Sequence, residues 1–232
     1  MKESFINNGF NEDDCEYLIA DNCNTNNFDA YTAINKFLKT GTGQFIIIVH
    51  QDVRCVDNRS VLEDRLLNLE KTDNTWAVCG NAGGSGYKHT HFYLNDNGRL
   101  RDTGKFPAKV HSLDENLLIV KGDANLFVSS DIKDFHFYGT DICIIAEILG
   151  YSCYVIKFMV NHLSSGNLKK MKEQQPNFIN KYGNKLKGRF VQTSCTKFYL
   201  SNSTTKNKLY NSSFIFFWIK AWNRIANNFR DL

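Results

Sequence analysis

Apolar runs alternate with segments of helical periodicity along residues 14–162. Short runs rich in Val, Ile, Leu and Phe predict strands, whereas apolar residues spaced three and four apart predict amphipathic helices. The predicted strands are DCEYLIA (14–20), FIIIV (45–49), the first half of TWAVCGNAGG (75–84), LLIVKG (117–122), NLFVSS (125–130) and SCYVIKFMVNH (152–162). The predicted helices are FDAYTAINKFLK (28–39), residues 57–70 and TDICIIAEILGY (140–151). This alternation predicts an α/β domain with a mostly parallel sheet flanked by helices.

Two of these segments have more specific patterns. FIIIV is apolar at every position, which is typical of a central parallel strand covered on both faces. The second half of TWAVCGNAGG predicts a glycine-rich loop, and the region from 84 to 112 is irregular and polar. Within that region, HTHFYLNDNGRL (89–100) predicts a β-hairpin, because Asn-Gly between two strand-like runs favours a tight turn.

The pattern loosens beyond about Ser164. KKMKEQQPNFINKYGNKLKGRF (169–190) predicts basic helix on either side of Pro176, and the Ser-, Thr-, Asn- and Lys-rich positions 193–213 predict a loop. SFIFFWIKAWNRIANNFRDL (213–232) predicts an aromatic, basic helix with an apolar stripe, which suits either a membrane interface or a helix that caps the core domain. We therefore expect a core domain over residues 1–165 and a basic, mostly helical extension over 166–232.

The charge distribution supports this division. The chain has 232 residues and a formal net charge of +4. Residues 1–165 contain 15 Lys and Arg against 22 Asp and Glu, whereas residues 166–232 contain 13 Lys and Arg against 2 Asp and Glu. A net charge of +11 on the extension favours an anionic partner. We expect a membrane surface rather than nucleic acid, because no recognised nucleic-acid motif accompanies the charge.

Composition narrows the class of protein. Hydrophobic residues make up 42% of the chain and charged residues 22%, which excludes a disordered or fibrous protein. No apolar run reaches the roughly 18–20 residues of a membrane span, and the first residues do not resemble a signal peptide. The seven cysteines are scattered and form no CxxC pair, which argues against a disulfide framework and a zinc site. We expect a cytoplasmic protein, with possible attachment to the inner face of the cell membrane.

Several polar residues fall where predicted strands end or the next helix begins. His50 and Asp52 follow FIIIV, His162 ends its strand, Asp141 opens an apolar helix, and Asp21 follows the first predicted strand. In open α/β sheets, ligands bind at the carboxyl ends of strands. Each residue taken alone also fits a structural role, as a polar strand end or a helix start. Their convergence on one sheet edge favours a binding site.

These segments resemble inverting nucleotide-sugar glycosyltransferases of the GT-A fold, which is Rossmann-like. The resemblance covers roughly residues 3–167 and rests on YLIADNCNTNNFDAYTAIN, GQFIIIVHQDV and DFHFYGTDICIIAEILGYSCYVIKFMVNHLSSGN. It is strongest to a family 2-like group whose metal motif is HQD instead of DxD, related to the domain of the streptomycin biosynthesis protein StrF.

The resemblance implies roles for matched positions. Asp21 would contact the base or ribose of the nucleotide, and Asn35 would border the donor site. The HQD motif, His50, Gln51 and Asp52, would bind the nucleotide sugar. Mn²⁺ or Mg²⁺ would be held by Asp52, His50 and His162. Asp141 matches the residue taken as the catalytic base.

The implied activity is metal-dependent transfer of a sugar, with inversion, from a nucleotide-diphosphate donor. The acceptor would be a glycan or a polyprenyl-diphosphate-linked acceptor, in the synthesis of a bacterial surface polysaccharide such as lipopolysaccharide. General base catalysis by a carboxylate and neutralisation of the diphosphate by a cation suit these residue types. The alternative is a catalytically inactive relative that binds a partner or glycan at the membrane.

The chain departs from the family in two ways. One anionic metal ligand of DxD is replaced here by an imidazole, which predicts weaker metal binding. In addition, the family's first strand has no counterpart, because KESFINNGF predicts the helix that should follow it. A missing inner strand would leave backbone groups unpaired.

Overall fold

The structure, a computed structural model, describes residues 1–25, 27–164, 168–183, 185, 188–201, 203–215 and 217–218. The helices are α1 (Lys2–Ile6), α2 (Ala30–Thr40), α3 (Arg59–Thr72), α4 (Tyr138–Ile148), α5 (Leu168–Gly183) and α6 (Thr204–Tyr210). A short 3₁₀ turn covers Gly122–Ala124. The predicted helices at 28–39, 57–70 and 140–151 are thus confirmed, with ends shifted by a few residues.

The strands lie in two larger sheets and one hairpin. They are β1 (Phe45–Val49), β2 (Val53–Cys55), β3 (Trp76–Gly80), β4 (Ala82–Ser85), β5 (His89–Asp96), β6 (Arg99–Thr103), β7 (Ala108–Val110), β8 (Ser112–Leu113), β9 (Leu117–Lys121), β10 (Ser152–Val155), β11 (Val160–His162), β12 (Arg189–Gln192) and β13 (Lys197–Leu200). The α/β class is therefore correct.

The first sheet has the order β1-β9-β3-β10-β7 and mixed strand directions. Only β3 and β10 pair in parallel, whereas β9 runs antiparallel to both β1 and β3, and β7 runs antiparallel to β10. The prediction of a mostly parallel sheet is wrong here. An apolar strand pattern gives the burial of a strand but not its direction, so the insertion of β9 between β1 and β3 could not be predicted from the pattern.

β1 was expected at the centre of its sheet and instead lies at the edge. Among the described residues, β9 is the only strand that pairs with it. Residues 14–20, predicted as a short buried strand, have no strand structure, and Ile19 is 65% exposed. Four of the five side chains of β1 are accordingly only half-buried. β1 and residues 14–20 are both apolar, which predicts strands. Among the described residues, β1 pairs with β9, whereas residues 14–20 pair with no strand.

The predicted strand at 125–130 is also wrong. Residues 125–130 follow the 3₁₀ turn without strand pairing. Asn35 of α2 holds this segment through two hydrogen bonds with the backbone of Val128, each 2.9 Å long. A side-chain amide therefore satisfies the backbone groups that a strand partner would otherwise pair.

The second sheet has the order β2-β11-β5-β4-β8, with β6 paired to β5. The predicted hairpin is confirmed as β5 and β6, joined by Asn97 and Gly98, which both have positive φ. The predicted strand at 152–162 is divided between the two sheets, because β10 belongs to the first and β11 to the second. This division brings His162 to the second sheet, beside β2 and β5.

The glycine-rich segment after β3 is strand β4 rather than a loop. A Cβ at Gly83 would lie 2.4 Å from the carbonyl oxygen of Ser112, and one at Gly84 would lie 2.0 Å from that of Gln192. Glycine is needed at both positions because backbone from β8 and β12 approaches β4 closely.

The C-terminal part is more regular than expected. The predicted loop at 193–213 contains β13 and α6 in addition to the turn after β12, so that prediction is wrong. α5 continues through Pro176, as a basic helix on either side of the proline. Its buried residues Met171, Phe178 and Tyr182 join Phe137 and Ile144 in one apolar cluster. Part of the basic extension is therefore packed on the core.

Only the beginning of the predicted helix 213–232 falls within the described residues. Residues 213–215 and 217–218 are helical, and residues 219–232 lie outside the described part. Phe214, Phe217 and Trp218 are 69%, 65% and 56% exposed, and their rings contact one another. In the part of the chain that is described, no helix has the length and apolar character needed to cross a bilayer.

Candidate metal centre

Three of the predicted metal ligands lie together in the structure. His50 Nδ1 lies 3.4 Å from Asp52 Oδ1, and His162 Nε2 lies 3.6 Å from Asp52 Oδ2. One ligand atom from each of the three residues falls within 4.8 Å of the others. Two atoms that are each about 2.1 Å from one ion can be at most about 4.2 Å apart. The group therefore needs only a small side-chain adjustment to hold one cation.

The local backbone explains this convergence. β1 ends at Val49, and the turn that follows presents His50 and Asp52 before β2 begins. β11 pairs antiparallel with β2, with His162 directly opposite Val53. The backbone N–H of Leu163 also donates to the carbonyl oxygen of Asp52, at 3.1 Å. Pairing between β2 and β11 thus brings together residues that are 110 positions apart.

Asp52 is the central residue of the group. Its burial acts to raise the pKa, but a hydrogen bond from Ser164 and the imidazoles of His50 and His162 outweigh burial, so the pKa lies below its usual value. The carboxyl group is therefore an anion at neutral pH. Its Oδ1 is buried and has no hydrogen-bond partner among the described residues. A buried anionic oxygen without a donor is an energetic cost that a bound cation would remove.

A second carboxylate supports His162. Nδ1 of His162 lies 3.4 Å from Oδ1 of Asp96, and Arg101 lies 3.4 Å from the other oxygen of Asp96. This contact leaves Nε2 of His162 directed to the side of Asp52. Metal-binding histidines commonly use their second nitrogen in this way, which fixes the ring orientation.

Asp96 was not identified from the sequence. It occupies the end of β5, directly beside His162 in the parallel pairing of β5 with β11. From the sequence, Asp96 is only a residue near the tip of a hairpin. Its proximity to His162 follows from the pairing of β5 with β11, which the sequence does not reveal.

The donor set fits a divalent ion that accepts both imidazole and carboxylate. Two imidazoles and one carboxylate suit a transition-metal ion better than Mg²⁺, which prefers oxygen ligands. His50 is 45% exposed and Asp52 is 21% exposed at the side chain, so the group is open to solvent and to further ligands. Gln51 is exposed in the same turn.

Asp141 is not part of this group. It is fully buried at the start of α4, where its Oδ2 accepts from the backbone N–H of Ser129 at 2.7 Å. Its Oδ1 accepts from the hydroxyls of Ser129 and Tyr182. Burial raises the pKa of Asp141, and the hydrogen bonds from Tyr182 and Ser129 act in the other direction. Both carboxylate oxygens are thus occupied, and α5 covers them.

The two other predicted donor-site residues have local partners. Asn35 uses its amide to bind the backbone of Val128, as described above. Asp21 is exposed and accepts from the backbone N–H of Cys23 at 2.8 Å, which lowers its pKa. Asp21 does not belong to the group around Asp52, and the amide of Asn35 is occupied by the backbone of Val128.

A polar cavity of about 140 Å³ adjoins the metal group and shares His162 and Ser164 with it. Asp114 and Asn116 line one side, and Ser194 and Cys195 of the turn between β12 and β13 line another. The hydroxyl of Ser194 donates to Asp114. The sequence did not indicate that the C-terminal extension would reach this site.

Comparison with known proteins identifies a relative but no function. No protein-family model matches the chain. A protein of Fuscovulum blasticum, named ATP synthase subunits region ORF 6, is 34% identical to it over 170 residues. The match covers 70% of this chain and 68% of the relative, whose name states no reaction and no ligand. On this identity and coverage, the chain belongs to the same family as ATP synthase subunits region ORF 6 of Fuscovulum blasticum.

Proposed function

We propose that the protein is a metal-dependent glycosyltransferase. It moves a sugar from a nucleotide-diphosphate donor to a hydroxyl of a glycan or lipid-linked acceptor, with inversion at the anomeric carbon. The observation that carries the proposal is the convergence of His50, Asp52 and His162, with a buried oxygen of Asp52 left without a donor. These residues also match the HQD motif and the later histidine of the GT-A enzymes that the sequence resembles.

Each side chain of the group has a defined task in this proposal. Asp52 supplies the anionic ligand, and His50 and His162 supply neutral nitrogen ligands on either side of it. Asp96 keeps Nε2 of His162 directed to the metal by holding Nδ1. Bound Mn²⁺ or Mg²⁺ would neutralise the charge that develops on the diphosphate leaving group.

The acceptor hydroxyl must lose a proton as it attacks the sugar. Asp141 matches the base of the resembled family, and its raised pKa suits a proton acceptor. Its oxygens are occupied by Ser129 and Tyr182, so this role requires α5 to move away and Tyr182 to release Oδ1. Asp114, which lines the cavity beside His162, is the next candidate for the base.

A screen of nucleotide-diphosphate sugars with Mn²⁺ tests the proposal. We expect release of nucleoside diphosphate that depends on Mn²⁺ and is lost in Asp52→Ala. The matched control is Asp123→Asn, which changes an exposed carboxylate in the 3₁₀ turn. The absence of Mn²⁺-dependent nucleotide binding in calorimetry would contradict the proposal.

A catalytically inactive, membrane-associated binding protein is the second candidate. The observation that favours it is the closed arrangement around Asp141, which leaves the matched base without access to an acceptor. The two candidates differ in one measurement. An inactive relative would bind nucleotide or glycan but would neither hydrolyse nor transfer the sugar under any metal condition.

Attachment to a membrane surface is a further part of the proposed function. The extension 166–232 has a net charge of +11, and the described beginning of its last helix exposes Phe214, Phe217 and Trp218. Exposed aromatic rings beside basic residues suit the interface of an anionic bilayer. This surface would bring the active site close to a lipid-linked acceptor at the inner face of the cell membrane.

A further inference from the structure

The cavity beside the metal group has a chemical character of its own. Its volume is about 140 Å³, which is room for only a few water molecules at roughly 30 Å³ each, or for one small ring. Its walls come from the β5–β6 hairpin, the segment before β9, and the turn between β12 and β13. The space is therefore formed jointly by the core and the basic extension.

The charged groups on the walls disfavour an anionic ligand. Asp96 and Asp114 contribute two carboxylates, whereas Arg101 contributes one guanidinium that is already paired with Asp96 at 3.4 Å. A phosphate in this space would be repelled by the excess negative charge. The diphosphate of a donor therefore belongs at the metal group rather than in the cavity.

The remaining walls suit hydroxyl groups. Asn97 and Asn116 provide neutral amides, and the hydroxyls of Ser164 and Ser194, which donate to Asp52 and Asp114, keep lone pairs that can accept hydrogen bonds. Phe92, Leu94 and Ala82 provide an apolar side against which the C–H groups of a ring can pack. Polar groups at the rim of an apolar surface are typical of sites for small neutral ligands.

Asn116 is the most informative of these residues. It is only 3% exposed, and its amide nitrogen donates to Oδ1 of Asp114 at 2.7 Å, which fixes the side chain. Its Oδ1 is buried and has no hydrogen-bond partner among the described residues. A buried acceptor of this kind destabilises the fold unless a ligand or water supplies a donor.

We propose that this cavity binds one uncharged sugar ring through its hydroxyl groups, with Asn116 accepting from one of them. The proposal rests on the proposed glycosyltransferase function, because it assigns the sugar of that reaction to a place beside His162. The ring can belong to the acceptor or to the donor, since both present the same hydroxyl chemistry. The two sources differ in whether binding requires nucleotide and metal.

Cys195 provides a direct measurement of occupancy. It lines the cavity and is exposed, whereas the exposed Cys23 lies in the loop before α2 and serves as an internal control. The full chain is alkylated with iodoacetamide, and modification of each cysteine is followed by peptide mass spectrometry. The probes are glucose, galactose, mannose and N-acetylglucosamine alone, and the corresponding nucleotide-diphosphate sugars with Mn²⁺. Inorganic phosphate is the anionic control.

We expect at least one sugar probe to slow alkylation of Cys195 while Cys23 reacts unchanged, and phosphate to have no effect. Protection by a free sugar assigns the cavity to the acceptor. Protection only by a nucleotide sugar with Mn²⁺ assigns it to the donor. If no sugar probe protects Cys195, or if phosphate alone protects it, the proposal is wrong.

Two variants test the role of the amides. Asn116→Ala should raise the sugar concentration for half-protection about 5- to 10-fold, as expected for one lost hydrogen bond. Asn97→Gly removes a second lining amide at a position with φ of 49°, which glycine adopts readily, so folding is preserved. An unchanged half-protection concentration in both variants would overturn the assignment. Mn²⁺-dependent nucleotide binding is measured separately in calorimetry, so failure of the cavity proposal is distinguishable from failure of the proposed function.

Discussion

The hydroxyl of Tyr182 donates a hydrogen bond to Oδ1 of Asp141, although 41 residues separate the two in the chain. Tyr182 lies near the end of α5, in the basic extension, and Asp141 lies at the start of α4 in the core. The contact joins the extension to the residue that the sequence resemblance identifies as the base. α5 therefore packs over Asp141 and occupies one of its carboxylate oxygens.

Tyr182→Phe should destabilise the protein, and the loss should grow as the pH rises. The hydroxyl stabilises the ionised form of Asp141, so its removal raises the pKa of Asp141 further. We expect a loss of about 1.5–3 kcal/mol in the free energy of unfolding where Asp141 is ionised, and about 0.5–1.5 kcal/mol where it is protonated. Urea denaturation at neutral and acid pH measures both values.

Tyr17→Phe is the matched control for this variant. The hydroxyl of Tyr17 donates to the carbonyl oxygen of Phe10 at 2.7 Å, so its partner does not titrate. Its loss should cost about 0.5–1.5 kcal/mol at both pH values. An equal pH dependence in the two variants would show that the charge of Asp141 is not involved.

Asp141→Asn should lower the turnover of sugar transfer by about 10²–10⁴-fold while donor binding changes little, because the carboxamide cannot act as a base. The variant must remain folded for this comparison, so its thermal unfolding is measured with the same preparation. Turnover near that of the wild type would move the role of base to another residue. Asp114→Asn is the next variant to measure.

Asp52→Ala should abolish Mn²⁺-dependent binding of a nucleoside diphosphate, because it removes the anionic ligand of the group. His50→Ala should have a smaller effect, and Asp96→Asn should weaken metal binding about 10- to 100-fold through loss of the support for His162. Titration calorimetry with Mn²⁺ measures all three, with Asp123→Asn as the surface control. If Asp52→Ala binds Mn²⁺ with the affinity of the wild type, His50, Asp52 and His162 do not form a metal site.

Glu115 should make the stability of the protein depend on pH in the neutral range. Burial of its carboxyl group, with a further contribution from Asp114, raises the pKa of Glu115 from 4.5 to about 8. Its contribution to stability is therefore fully present below about pH 4.5 and is lost as the pH rises toward 8. Relative to Glu115→Gln, the wild type should lose at most about 1.4 kcal/mol per pH unit in this window.

Urea denaturation of wild type and Glu115→Gln across pH 5–8 measures this difference. Glu16→Gln, at an exposed position, is the control and should follow the wild type throughout. Parallel stability curves for wild type and Glu115→Gln would contradict the raised pKa.

The protein should sediment with anionic liposomes at low salt and less at high salt. Each Lys or Arg near the bilayer contributes about 1 kcal/mol, and salt screens this attraction. Removal of residues 213–232 should abolish binding while the core remains folded. The double substitution of Phe217 and Trp218 by Ala should also weaken it, with little change in the melting temperature because both side chains are more than half exposed. A lower melting temperature without any liposome binding would instead indicate a helix docked on the core.

The parts of the fold that were predicted correctly have strong local patterns. FIIIV, LLIVK and the 140–151 helix appear as β1, β9 and α4, and the Asn97-Gly98 turn forms the expected hairpin. Strand direction and sheet order were not predicted, because they depend on pairings between distant segments. Residues 14–20 illustrate the difference, since their apolar pattern is present but no strand in the described part of the chain pairs with them.

In the candidate site, too, the residues with a local signal were predicted and those brought in by long-range pairing were not. His50, Asp52 and His162 were identified by their positions at strand ends, and the structure brings them together. Asp96, Asn116 and Ser194 were missed as site residues because their proximity arises from the β5–β11 pairing and from the turn between β12 and β13. The sequence could not predict that Tyr182 covers Asp141. The apolar pattern of α5 predicts a buried face but not the part of the core against which that face packs.

The close approach at β4 has a consequence for recognising distant relatives. A Cβ at Gly83 or Gly84 would meet backbone oxygens of β8 and β12, which cannot move aside as a flexible side chain can. A chain that keeps β8 paired with β4 therefore has to keep Gly83, and one that also keeps β12 against β4 has to keep Gly84, even after most of its surface has diverged. The Gly83-Gly84 pair can serve as a marker in alignments, and a sequence with larger residues there would be expected to arrange its C-terminal part differently.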